Sequence, residues 1–128
     1  MTVCENCRLG DLMSHQATQL AAQLVSRFRT NDPLQLIHYS GIWYFEHDLP
    51  MHLRGYTIRI NDQSAIVVNR CLPEILLAFT RAHELGHALL HGHDLYLSYH
   101  ATLYPRGRYE READEFAQAL LHRHKEVS

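Results

Sequence analysis

With 128 residues, a formal net charge of −2, 46% apolar and 20% charged residues, the chain has the size and composition of one globular domain with its own core. These values exclude a collagen-like or largely disordered chain, and the absence of a basic excess argues against direct nucleic-acid binding. No apolar run approaches the length of a membrane span and the N-terminus lacks a signal-peptide core, so a cytoplasmic protein without a membrane partner is expected.

Residues 1–10, which include Cys4 and Cys7, read as a flexible Cys-containing arm, and 11–128 as a single domain. Three cysteines cannot all pair within one chain, which suits a reducing compartment. From Asp11 to Arg29, Leu12, Ala17, Leu20, Ala21, Leu24 and Phe28 recur near helical spacing. Asn31-Asp32-Pro33 then breaks that helix and opens a short one to Tyr39, with Asp at the cap and Pro at the first helical position; Gly41 ends it. Ile42 to Phe45 reads as a strand whose aromatics belong to the sheet core, and Tyr56–Ile60 with Ala65–Asn69 as a hairpin around Asn61-Asp62-Gln63-Ser64. A helix follows from Leu72-Pro73-Glu74 to about His91, and a last one from about Tyr109 to His124. This order predicts an α+β fold: a small antiparallel sheet of about three strands packed with the helix of HELGH and a C-terminal helix, plus an N-terminal helix.

The chemistry concentrates at HELGH. His83 and His87 stand four residues apart, so on a helix they are rotated by only about 40° and can ligate one ion. A catalytic zinc takes three protein ligands and keeps one position for water, whose proton a neighbouring carboxylate can accept during attack on a peptide carbonyl. Glu84 is placed for that role of general base. Ile75, Leu76, Phe79, Ala82, Gly86, Leu89 and Leu90 form the apolar face of this helix, and the two histidines fall at its edge. Gly86, in mid-helix, costs about 1 kcal/mol against Ala and implies that something packs closely there.

A third ligand has to come from Glu110, Glu112, Asp114 or Glu115 in the last helix. At about 100° per residue, Glu110 lies roughly 65° from the centre of the face made by Ala113, Phe116, Ala117, Leu120 and Leu121, and Glu112 roughly 95°. Glu110 is therefore the predicted ligand. Asp114, one turn later on the same side, is placed to accept the second ring N–H of a ligand histidine.

FTRAHELGHALLH followed by YEREADEFAQALL resembles the ImmA/IrrE-type metallopeptidases, and NDPLQLIHYSGIWYFEHDLP, LRGYTIRI and IVVN extend the likeness over roughly residues 31–121. The resemblance implies a zincin-like metallopeptidase domain over 11–128, with His83, His87 and Glu110 as Zn2+ ligands and Glu84 as base, a gluzincin-like endopeptidase. It further implies an anti-repressor of a phage or mobile element that cuts a helix-turn-helix repressor. Asp114 stands where the family more often has Asn, and the chain ends soon after Leu121.

Two other readings accompany this one: a non-proteolytic module that sequesters a transcriptional regulator, and a scaffold with purely structural zinc. The intact Glu84 and the want of a fourth obvious ligand oppose the second of these. Two imidazoles and a carboxylate also suit manganese or iron. Cys4 and Cys7 have the spacing of half a zinc site without a second pair, and Cys71 is isolated. His91 continues the ligand row away from the ion as a packed or capping residue, and Glu46-His47-Asp48 reads as surface. Tyr99, His100 and Tyr104 are candidate oxyanion donors, among which the sequence does not choose.

Overall fold

A computed structural model describes residues 5–91 and 107–127, with side chains for 16–91 and 107–122. The elements are α1 (Glu5–Phe28), α2 (Pro33–Tyr39), β1 (Trp43–His47), β2 (Gly55–Ile60), β3 (Gln63–Asn69), α3 (Glu74–Leu90) and α4 (Arg108–Val127), an α+β arrangement as expected. Helix α1 starts at Glu5, ahead of the expected Asp11. Gly10 is the single poor helix former in between, at about 1 kcal/mol, and a helix already nucleated extends through such a residue. Cys4 lies outside the described residues.

Local chemistry sets the next boundaries. Arg29, with φ 59, closes α1 while its amide bonds to the Val25 carbonyl. The Asp32 carboxylate accepts from the Leu34 amide at 3.2 Å and Pro33 occupies the first helical position, so α2 begins where its cap dictates. It ends at Gly41, whose φ of 74 is open to glycine without strain.

The sheet has the order β1-β3-β2. β2 and β3 form an antiparallel hairpin from Ile60↔Gln63 onward, turned by Asn61 and Asp62 alone. Both have positive φ, 50 and 68, the type I′ geometry whose twist matches the strands. The sheet is mixed rather than wholly antiparallel, because β1 pairs parallel to β3 from Trp43↔Ala65 to His47↔Asn69. A parallel pair needs a crossover, and here segment 48–54 together with β2 supplies it. Buried Asn69 secures that crossing. Its amide nitrogen faces the carbonyls of Leu49, Pro50 and Leu53 at 3.2, 3.4 and 3.1 Å, and its oxygen accepts from the amides of Leu49 and Cys71.

One face of the sheet carries Ile66, Val68 and Thr57 against α3, and α3 packs on α4, which packs on α1 through Ala17, Ala21 and Leu24. The other face is open at its β1 edge, so Trp43 and Phe45, expected in the core, are 59% and 43% exposed while their neighbours Ala65 and Val67 in β3 are buried. Alternation along β1 aims them away from the helices, and no described element covers that side. The apolar face expected for α3 is also corrected. Ile75 and Leu89 are exposed, while Thr80, Ala82, Leu85, Gly86 and Ala88 are buried, because the helix is clasped by the sheet on one flank and by α4 on the other. No helix among the described residues is long and apolar enough to cross a membrane.

Candidate metal centre

Two close approaches bring the chemical groups together. A Cβ on Gly86 would stand 3.0 Å from Phe116 Cδ2, so a side chain here would press Phe116 aside and glycine lets α4 lie this near to α3, the contact its mid-helix position implied. A Cβ on Gly55 would stand 2.7 Å from the Val67 carbonyl oxygen and 3.1 Å from Thr80 Cγ2, which ties the start of β2 to the flank of α3. Along α4, Glu110 precedes Phe116 and reaches the HELGH face from there.

His83, His87 and Glu110 each present a donor atom, all within 4.8 Å of one another, a group that could hold a metal ion. His83 Nε2 lies 3.1 Å from Glu110 Oε1 and His87 Nε2 lies 3.2 Å from Glu110 Oε2. The remaining nitrogens are also engaged: His83 Nδ1 meets Asp114 Oδ1 at 2.8 Å, and His87 Nδ1 meets His91 Nδ1 at 3.0 Å. His91 Nε2 in turn lies 2.8 Å from Glu112 Oε1. Two imidazoles with their Nε2 atoms turned inward, a bidentate-capable carboxylate and polar partners behind each ring match the donor set of a zinc-type site.

Electrostatics follow this geometry. Burial opposes charging His83, but the Glu110 hydrogen bond and the charges of Glu84, Glu110 and Asp114 prevail and raise its pKa above the ordinary value. Glu110 is held far below the usual carboxylate range by hydrogen bonds from His83 and His87, in spite of burial. Burial lowers the pKa of His91, against the pull of Glu112, which favours its neutral ring. Glu84 is buried, and the Thr57 hydroxyl lies 2.6 Å from its Oε1 and 3.2 Å from its backbone carbonyl. A single hydroxyl proton serves the shorter, charge-assisted contact.

The sequence matches the family described as IrrE N-terminal-like domain, peptidase family M78, over residues 37–126. The chain belongs to this family. It is similar to "Uncharacterized immunity region protein 2" of Bacillus phage phi105, with 31% identity over 100 residues, 77% of this chain and 63% of that protein's length. No solved structure gives a significant match.

In this IrrE-like chain His83, His87 and Glu110, singled out from sequence, fall at one place, with Glu110 facing both imidazoles, Asp114 behind His83 and the Glu84 charge acting on His83. The ranking of the acids needs one correction. Glu112, not Glu110, is the more buried of the two, 8% exposed, because the end of α3 covers it through His91. Angles measured from α4's own apolar stripe could not include that cover. Thr57 was missed altogether, and Glu112 was weighed only as a ligand, not as the partner of His91. The alternation of apolar Tyr56, Ile58 and Ile60 with Thr57 and Arg59 would have turned Thr57 outward, so no signal along β2 marked it; for Glu112 the one hint was the row His83, His87, His91 at spacing four. Glu46, read as surface, is instead bound by Arg81 Nη2 at 2.7 Å and by the Tyr44 hydroxyl at 2.6 Å. Cys71 is an exposed free thiol. Tyr99, His100 and Tyr104 lie outside the described residues.

Proposed function

We propose that this chain is a zinc-dependent endopeptidase of the HExxH type, with His83, His87 and Glu110 as ligands and Glu84 as general base, and that it cuts a helix-turn-helix repressor as an anti-repressor of a phage or mobile element. The observation that carries the reading is the convergence of two Nε2 atoms on the Glu110 carboxylate, with Glu84 near enough for its charge to act on His83. A bound zinc would acidify a water molecule and polarise the scissile carbonyl.

The side chains divide the remaining work. Thr57 donates to one oxygen of Glu84, which orients the other to take a proton from water and pass it to the leaving amine. Asp114 and His91 hold the two imidazoles with Nε2 inward. β2, which carries Thr57, is an edge strand, and its outer backbone groups suit a substrate segment in extended form lying alongside Glu84. The repressor as substrate is supported by membership of the family and by the immunity-region name of the phage relative.

The test is incubation with a purified helix-turn-helix repressor, zinc present, and fragments read by mass spectrometry. Wild type is expected to cut, and Glu84→Gln to keep its metal while losing at least about a hundredfold in rate. A zinc-loaded wild type that leaves the repressor whole would sink the substrate; a Glu84→Gln variant that still relieves repression would point to sequestration.

A further inference from the structure

Both ligand histidines have a partner on the nitrogen that faces away from Glu110, but the partners differ. His83 Nδ1 meets the carboxylate of Asp114 directly, at a side chain 49% exposed. His87 Nδ1 meets no carboxylate at all; it meets a second imidazole, His91, at 3.0 Å, and the carboxylate stands one step further on, at Glu112. That second arrangement is deeply buried, with His91 and Glu112 side chains 4% and 11% exposed. His91 is also clamped by Tyr109, whose ring stacks on it at 4.2 Å between centroids and 25° between planes.

We infer that His91 and Glu112 are positioning residues for His87: a buried carboxylate–imidazole chain that fixes the tautomer and ring orientation in which His87 Nε2 faces the metal site. The inference rests on the metallopeptidase reading above. The proton logic leaves one arrangement when all three groups are satisfied. With the Glu112 carboxylate accepting at 2.8 Å, His91 carries its hydrogen on Nε2 and leaves Nδ1 bare. Two nitrogens 3.0 Å apart need one hydrogen between them, so His87 supplies it from Nδ1. With an ion bound, His87 Nε2 would then present its lone pair to it, while in the metal-free protein the same nitrogen is within reach of Glu110 Oε2.

The two ends of this chain lie on different helices, which gives it a further consequence. His91 is the C-cap of α3, its amide bonded to the His87 carbonyl, and Glu112 sits in α4 just after the ligand Glu110. The His91–Glu112 contact therefore ties the His87 side of the site to the Glu110 side with the same bond that selects the tautomer. Arg108 Nε, 3.8 Å from Glu112 Oε2, steadies the carboxylate from one turn earlier.

The test compares wild type with His91→Phe and Glu112→Leu, which keep the volume and the stacking on Tyr109 or the packing of α4 while removing the acceptors, and with His91→Gln, whose amide oxygen can still accept from His87 Nδ1. Helix content of the metal-free proteins by circular dichroism confirms folding. The readouts are zinc affinity by competition with a chromophoric chelator and the visible absorption of the cobalt-substituted protein, which reports ligand-field geometry rather than turnover. Expected are a loss of about ten- to hundredfold in affinity for His91→Phe and Glu112→Leu, a shifted cobalt band, and partial recovery of both in His91→Gln. Wild-type affinity and an unchanged cobalt band in a folded His91→Phe would overturn the inference while leaving the metal site standing. A wild type that takes up neither zinc nor cobalt would overturn the metal reading first and this inference with it.

Discussion

On its sheet flank α3 is fastened by a closed cluster. Arg81 donates through Nε to the Tyr44 hydroxyl at 2.8 Å and through Nη2 to Glu46 at 2.7 Å, and Tyr44 donates to the same carboxylate at 2.6 Å. Burial, with the hydrogen bond to Glu46, lifts the Tyr44 phenol to about 12 in spite of Arg81, so it remains a donor, and one cation meets one anion. On the α4 flank the balance is different. Glu110 and Asp114 both face His83, Glu110 faces His87 as well, and three donor atoms point at one place. The first arrangement is complete as it stands and holds helix to sheet; the second concentrates lone pairs in a way that a cation satisfies. Both flanks use charged residues at similar burial, so what separates a structural cluster from a site is whether the donors and acceptors cancel within it.

The strongest way to break this comparison is at Gly86, where the α4 flank depends on a missing side chain. Gly86→Val would drive a branched group into Phe116, already 3.0 Å from an ideal Cβ. A loss of about 1–3 kcal/mol in urea unfolding is expected, together with weakened zinc binding as Glu110 is pushed off the histidines. Unchanged zinc affinity would mean that the helix spacing does not position the ligands.

Arg81→Leu attacks the other flank. Glu46 and the Tyr44 hydroxyl lose their donor at a half-buried position, and since solvent reaches part of the cluster the expected cost is about 1–2 kcal/mol. Zinc content by elemental analysis should stay at the wild-type value. If it falls, the two flanks are not independent.

The smallest effect expected is in the pH dependence of the metal-free protein. His83 has a folded pKa above its ordinary 6.5, so its contribution is fully present below that value and lost as pH rises through the folded one. Glu110 has a depressed pKa, so its contribution is present above the unfolded carboxylate range and lost only in strong acid. The His83–Glu110 pair should therefore contribute most in mildly acidic solution and its contribution decline by less than about 1 kcal/mol toward alkaline pH, the pair being partly solvated, while His91, with its lowered pKa, acts in the opposite sense below the ordinary histidine value. Metal affinity should move the opposite way, because the imidazoles must give up their Nε2 protons to bind. Thermal unfolding across pH, with and without zinc, checks both signs; a metal-free protein that gained stability above pH 7 would contradict the His83 arrangement.

What the sequence by itself determined is local. The spacing of His83 and His87 fixes them on one side of any helix; Asp32-Pro33 and Gly41 bound α2 through cap and φ requirements; Asn61-Asp62 turns a hairpin; and Gly86 announces a close neighbour without naming it. These follow from backbone geometry within a few residues, whatever the rest of the chain does. What only the tertiary structure decided depends on which surfaces meet. Glu110 was favoured by angle along α4, but its reach to both imidazoles comes from the packing of Phe116 on Gly86, and the burial of Glu112 comes from His91 at the end of another helix. Thr57 behind Glu84, the parallel pairing of β1 with β3, and the exposure of Trp43 on an uncovered face are of the same kind. Their partners lie far apart in the chain, joined by packing, and a period of 3.6 or 2 along one element carries no information about which element it will face.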